Sequence, residues 1–206
     1  MSGPPMLLLR LACLTLAAAP LAVQAGALSV SVTDAAGKPL PDAVVLLEPA
    51  AGKVAVKPLP DTEISQARRQ FQPRVTVITV GTKVSFPNFD TVRHHVYSFS
   101  AAKTFELKLY AGVPAAPIVF DKPGLAVLGC NIHDRMAAWV VVAETPWFAQ
   151  SGSDGMARVA DAPAGAYRLS VWHPGLAANT PPLTKTLQIG SAETREALKL
   201  AVEALP

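Results

Sequence analysis

Residues 129–136 read GCNIHDRM, so Cys130, His133 and Met136 stand at three-residue steps in one short stretch. Thiolate, imidazole and thioether are the donors a soft metal ion selects over carboxylates. The only other cysteine is Cys13. It lies in an N-terminal apolar stretch with the pattern of a cleaved leader, so a mature chain keeps Cys130 alone and has no intrachain disulfide. A leftover thiol in an oxidising compartment is a liability or a ligand. The competing reading is a small buried hydrophobe.

A further donor must come from elsewhere, and NFDTVRHHVYSFS (88–100) offers His94 and His95. Adjacent strand residues face opposite ways, so the two cannot easily serve one ion. Two histidines, one cysteine and a weak axial methionine form the donor set of a blue-copper electron-transfer site. Zinc would more naturally take cysteine and histidine without thioether.

The elements that must hold these residues read as strands. Runs rich in Val, Leu, Thr, Phe and Tyr alternate with Gly, Pro and Asp turns. They are 28–34, 43–49, 75–80, 82–88, 94–100, 105–110, 117–121, 138–144, 156–161, 166–174 and 183–189. The 19 prolines fall mainly between them, where a missing N–H does no harm. ETREALKL (193–200) has a helix-like pattern and could equally be a strand. The expected class is all-β.

Two resemblances follow from motifs. The segments around 88–96 and 130–136, with Asn88, Asp90, His94 and Val96 upstream and C-x-x-H-x-x-M downstream, resemble cupredoxins of the amicyanin and plastocyanin kind. The wider run also resembles exported bacterial proteins of the methylamine-utilisation type. The resemblance implies a Greek-key sandwich over about 71–143 and one copper ion held by His94, Cys130, His133 and Met136. His95 stands where the family usually has Asn, whose side chain ties the ligand strand to the cysteine loop. His95 could make that tie through a ring N–H, or face solvent. Separately, Val32, Asp34, Gly37, Pro39, Ala43 and Val45 resemble the opening of a carboxypeptidase regulatory-like (transthyretin-like) sandwich. Asp154, Gly155, Pro163, Gly165, Tyr167, Leu169 and Val171 resemble its close.

The expected organisation is a signal peptide over 1–25, half of the regulatory-like sandwich over 26–62, the copper domain over 63–144 and the second half over 145–206. A single extended sandwich using all strands is the alternative. The leader has one cation, Arg10, an apolar run from Leu11 to Val23 and Val23-Gln24-Ala25 before the cut, which implies the periplasm. Its core is too short to span a bilayer and is interrupted by Pro20.

Lys plus Arg is 18 against 15 Asp plus Glu. No basic stripe argues for nucleic acid, and Arg68-Arg69 reads as a solvated loop. Asn88 and Asp90 read as turn braces. Trp139, Trp147, Trp172 and Met156 read as packing residues, and His173 as a surface or hydrogen-bonded residue. Pro87 and Phe89 are candidates for an apolar rim that docks a redox protein. Four histidines in all are too few for the additional centres of a copper enzyme, so a non-enzyme is expected. The expected function is a one-electron carrier. The alternatives are a copper delivery or storage protein without an electron-transfer role, and a scaffold module that has lost its metal.

Overall fold

The computed structural model describes residues 25–133 and 135–203. The expected signal peptide lies outside the described residues apart from Ala25. Every element described is a strand: β1 (Ala25–Asp34), β2 (Val44–Pro49), β3 (Thr62–Glu63), β4 (Ser65–Ala67), β5 (Gln70–Gln72), β6 (Val75–Thr79), β7 (Thr82–Ser85), β8 (His94–Ser100), β9 (Lys103–Tyr110), β10 (Ile118–Phe120), β11 (Gly124–Gly129), β12 (Ala137–Ala143), β13 (Phe148–Gln150), β14 (Met156–Pro163), β15 (Gly165–Trp172), β16 (Leu183–Ile189) and β17 (Thr194–Leu200). The all-β expectation holds. β17 settles the ambiguous segment as a strand: it pairs in parallel with β1 from Leu28↔Thr194 to Asp34↔Leu200. Its alternation of charged and apolar residues suits one covered face.

One sandwich carries the site. A five-stranded sheet in the order β6-β12-β11-β8-β9 packs on a three-stranded sheet, β10-β7-β3. Between them lies an apolar core that includes Ile78, Val84, Phe86, Val96, Phe120, Leu128 and Val140. Phe86 and Phe120 are fully buried, and each such ring stabilises the fold by about 2–3 kcal/mol. A second sandwich is built from both ends of the described chain. Its sheets are β14-β1-β17 and β13-β2-β15-β16. Its core joins Leu28, Val30 and Val32 to Val45, Leu47, Val159, Leu169 and Val171.

Two strands explain how the sandwiches meet. AAWVVVA (β12) and VVLLEP (β2) are almost continuously apolar, the pattern of strands covered on both faces. In β12, Ala138, Val140 and Val142 enter the site sandwich. The alternate residues Trp139 and Val141 point the other way, into a junction cluster with Val44 and Val75. In β2, Val45 and Leu47 enter the second core, and Val44 and Leu46 enter the junction. Trp172 joins the junction and Trp147 packs on the second core, as expected for packing residues. Met156, by contrast, is 44 % exposed.

Strands β3, β4, β5, β11 and β13 carry no strand expectation from sequence. Four of these have two or three residues, too short for a period to register. The fifth, GLAVLG, is bounded and diluted by glycine.

Candidate metal centre

His94 opens β8, and Cys130 follows the last residue of β11. These strands are neighbours, with Gly129 registered on Tyr97. Pairing therefore brings a histidine and a cysteine 36 residues apart to one end of the sandwich. His133 lies on the loop that leads into β12. Along that loop the Met136 N–H donates to the His133 carbonyl at 3.0 Å, a one-turn reversal that returns Met136 to the core.

His94 is fully buried and Cys130 is 5 % exposed. His94 Nδ1 is 3.7 Å from Cys130 Sγ, and the His94 and His133 ring centroids are 5.1 Å apart. One donor atom from each of His94, Cys130 and His133 lies within 4.8 Å of the others. Metal–donor lengths of about 2.0–2.3 Å make such separations compatible with one shared ion. Met136 is 2 % exposed and belongs to the same apolar cluster as Cys130.

Two observations test whether these residues fit a metal. The Nδ1 atom of His133 is buried and makes no hydrogen bond. Burying such a group unpaired costs about 1–3 kcal/mol, and a lone pair reserved for an ion accounts for it. The second observation concerns His94. Its Nε2 is 2.8 Å from Asp90 Oδ2. A carboxylate accepts only, so Nε2 carries the proton and Nδ1 presents its lone pair toward Cys130. This carboxylate–histidine arrangement orients metal-binding imidazoles. The donor set fits copper, for which a buried thiolate, two imidazoles and a thioether suit both oxidation states.

Asp90 is itself held. It accepts from the Arg68 N–H at 2.7 Å and the Arg69 N–H at 2.9 Å. Partial desolvation opposes its ionisation, but the Arg69 N–H, the His94 ring and the Arg68 N–H outweigh this and keep its carboxyl below the usual range. Arg68 and Arg69 form the two-residue turn between β4 and β5, with φ of 55° and 58°. Positive φ at both positions is the type I′ hairpin geometry, usually Asn-Gly. Arginine has no intrinsic preference for it, and the two bonds to Asp90 hold it there. Asn88 braces the other side. Its Nδ2 donates to the carbonyls of Val92 and Tyr110, and its Oδ1 accepts from the Asp90 N–H. Burial pushes the pKa of the Tyr110 hydroxyl well above its ordinary value, so the phenol keeps its proton. Its hydroxyl lies 2.6 Å from both Gln66 Oε1 and the Phe86 carbonyl.

The structure therefore brings His94, Cys130, His133 and Met136 to one end of the sandwich, and it revises several expectations. His95 neither faces solvent nor bonds the cysteine loop. It is 8 % exposed, and its Nε2 sits 2.9 Å from Glu106 Oε1 on β9, close enough for an ion pair but not aligned as a hydrogen bond. Asp90 is more than a turn brace. The N-x-D-x-x-x-H spacing was its available signal, since it puts carboxylate and ring four residues apart across one turn. Pro87 is buried and Phe89 is 67 % exposed, so only Phe89 belongs to a rim. His173 is buried and satisfied: Nε2 lies 3.0 Å from the Pro41 carbonyl, and Nδ1 accepts from the Gly175 N–H at 2.9 Å.

No protein-family model and no curated protein matches the chain. Solved structures do. A purple cupredoxin from Nitrosopumilus maritimus is 23 % identical, covering 40 % of this chain and all of its own, with a TM-score of 0.35. An amicyanin P52G mutant in its reduced Cu(I) form is 18 % identical, covering 48 % of this chain and 98 % of its own, with a TM-score of 0.37. A copper-containing nitrite reductase from Thermus scotoductus SA-01 is 27 % identical, covering 56 % of this chain and 28 % of its own, with a TM-score of 0.39. This last match corrects the expectation of a non-enzyme, because the similar proteins include an enzyme. The histidine count limits only centres built wholly within this chain, and says nothing of one completed by another chain. Among the described residues no helix is long and apolar enough to cross a membrane. These solved structures, to which this chain is similar over about half of its length, are cupredoxins and part of a copper enzyme.

Proposed function

We propose that the protein is an exported type 1 copper protein that carries single electrons between redox partners, with His94, Cys130, His133 and Met136 as ligands. The observation that carries this reading is the convergence of His94, Cys130 and His133 donor atoms within 4.8 Å beside an unpaired, buried His133 Nδ1. Copper bound there would supply a one-electron couple. The chain supplies the rest. Asp90 keeps the proton on His94 Nε2, and the apolar cluster around Cys130 and Met136 excludes water. His133, half-buried on its loop, is the ligand with a ring edge toward solvent, and so the natural exit for an electron. A site whose donors are already held by strands and braces reorganises little when the electron moves.

We further read 63–144 as the copper domain, set between the two halves (26–62 and 145–206) of a small sandwich of the regulatory-like kind. Separate apolar cores support this division. The N-terminal leader pattern supports export to the periplasm.

The test is to load the protein with Cu(II) and record visible and paramagnetic resonance spectra. Intense thiolate-to-copper colour with a narrow copper hyperfine splitting is expected, and Cys130→Ser should abolish the colour. A colourless protein with an ordinary tetragonal copper signal refutes the reading. Fast loss of Cu(I) to a chelator without reversible redox cycling would replace the carrier with a delivery protein.

A further inference from the structure

The surface around the candidate centre combines exposed apolar side chains with exposed arginines. Phe89, Val92 and Ile132 are 67 %, 37 % and 46 % exposed. Each lies within two residues of Asp90, His94 or His133, at the end where the His94 and His133 rings meet. Around them stand four exposed arginines. Arg68 and Arg69 reach this end through their backbone bonds to Asp90. Arg93 precedes His94, and Arg135 lies between His133 and Met136. None of the four has a carboxylate partner among the described residues. In these segments the sequence places two carboxylates against them, Asp90 and Asp134. Asp90 is turned inward on His94 and the hairpin.

This arrangement is local. Elsewhere the exposed arginines are paired, Arg158 and Arg195 with Glu193 and Arg168 with Glu48, whereas exposed lysines such as Lys108 and Lys122 stand without an ion pair among the described residues and are not gathered around an apolar patch. The arginine guanidinium suits carboxylates, which it binds in a two-pronged geometry. Unpaired surface charge of one sign also raises association rates with an oppositely charged partner.

We propose that this end is the docking surface for a redox protein whose own electron-exchange face is ringed by carboxylates, with the apolar patch as the contact and the four arginines as the steering collar. The inference rests on the electron-carrier reading and goes beyond it by giving the partner's surface chemistry. A basic-faced partner would meet like charge here, which costs association rate.

The experiment uses one carrier in two charge states: a c-type cytochrome with its surface lysines succinylated, and the same cytochrome unmodified. Stopped-flow oxidation of the reduced, copper-loaded protein should be at least about tenfold faster with the succinylated form at low salt, and should converge with the unmodified form as salt screens the charges. Binding of the metal-free protein to the succinylated cytochrome, followed by calorimetry, should show the same salt dependence. Arg93→Gln with Arg135→Gln should remove most of the preference. Arg68→Asn with Arg69→Asn, which tolerate the hairpin turn, should remove part of it without touching the metal loop. Equal rates and binding with both cytochromes would overturn the proposal. So would arginine-dependent sedimentation with phosphatidylglycerol vesicles in the absence of any cytochrome preference, which would assign the collar to a membrane. Failure of the carrier reading would look different, because the loaded protein would then not cycle reversibly with hexacyanoferrate at all.

Discussion

Removing the Asp90 carboxylate should loosen the metal centre by more than it loosens the fold. Asp90 accepts three hydrogen bonds, from the Arg68 N–H, the Arg69 N–H and His94 Nε2. Bonds to a charged acceptor contribute about 1.5–3 kcal/mol each in favourable settings. The two hairpin amides lie near the surface, so water replaces much of what they lose. His94 is fully buried, and no water replaces its partner cheaply. Asp90→Asn keeps the size and one acceptor oxygen but gives up the charge. A fold destabilisation of about 1 kcal/mol follows, whereas loss of an outer partner of a ligating histidine lowers metal affinity about 10–100-fold. The assay is a competition titration with a chelator of known copper affinity, run beside a urea denaturation of the metal-free protein. The control is Arg68→Asn with Arg69→Gly. It keeps both backbone donors while easing a left-handed conformation that costs about 1–2 kcal/mol per residue, so it should be no less stable and bind copper normally. If Asp90→Asn binds copper within twofold of the unaltered protein, Asp90 is only a brace for the hairpin and the tautomer argument fails.

Three more outcomes follow from the same geometry. His95→Ala should retain copper, because its ring faces Glu106 rather than Cys130, while His94→Ala should lose most of the affinity; copper titration of the pair decides, and the reverse result would reassign the ligand. Gly155→Ala should destabilise the second sandwich by about 2–4 kcal/mol, since Gly155 has φ of +74° and a Cβ there would meet the Val32 carbonyl at 2.5 Å. With separate cores, copper colour should survive in the folded variant, and parallel loss of both would argue for one cooperative unit. His173 gives a pH dependence. Burial lowers its pKa below the ordinary 6.5, against the opposing pull of the Pro41 carbonyl and Asp42. The unfolded chain therefore takes up the proton first. The contribution of His173 to stability is complete above about pH 6.5 and declines as pH falls toward the folded value. The urea midpoint of the metal-free protein should fall more steeply between pH 7.5 and 5 than that of His173→Asn, and matched slopes would contradict this.

Much of the centre could be read along the chain because its chemistry is carried by rare residues at short spacing. Cys130, His133 and Met136 sit on one loop, so no folding argument is needed to bring them together. The N-x-D-x-x-x-H pattern likewise keeps Asn88, Asp90 and His94 within one turn and strand. The all-β class is equally local, since β-branched and aromatic runs between turn residues decide it. Strands such as GLAVLG and the three-residue pieces around Arg68-Arg69 were not legible, because they exist through pairing with distant partners and carry little period of their own.

The sequence by itself determined which donors are available and that strands would present them. Tertiary structure decided the rest, because each remaining choice depends on groups far apart in the chain. The β8–β11 pairing puts His94 Nδ1 beside Cys130 Sγ. The opposite strand face leaves His95 to Glu106. The hairpin at Arg68-Arg69, more than twenty residues away from Asp90, fixes the carboxylate that fixes the tautomer. Only a folded chain can bring the two backbone amides, the carboxylate and the ring into that sequence of contacts.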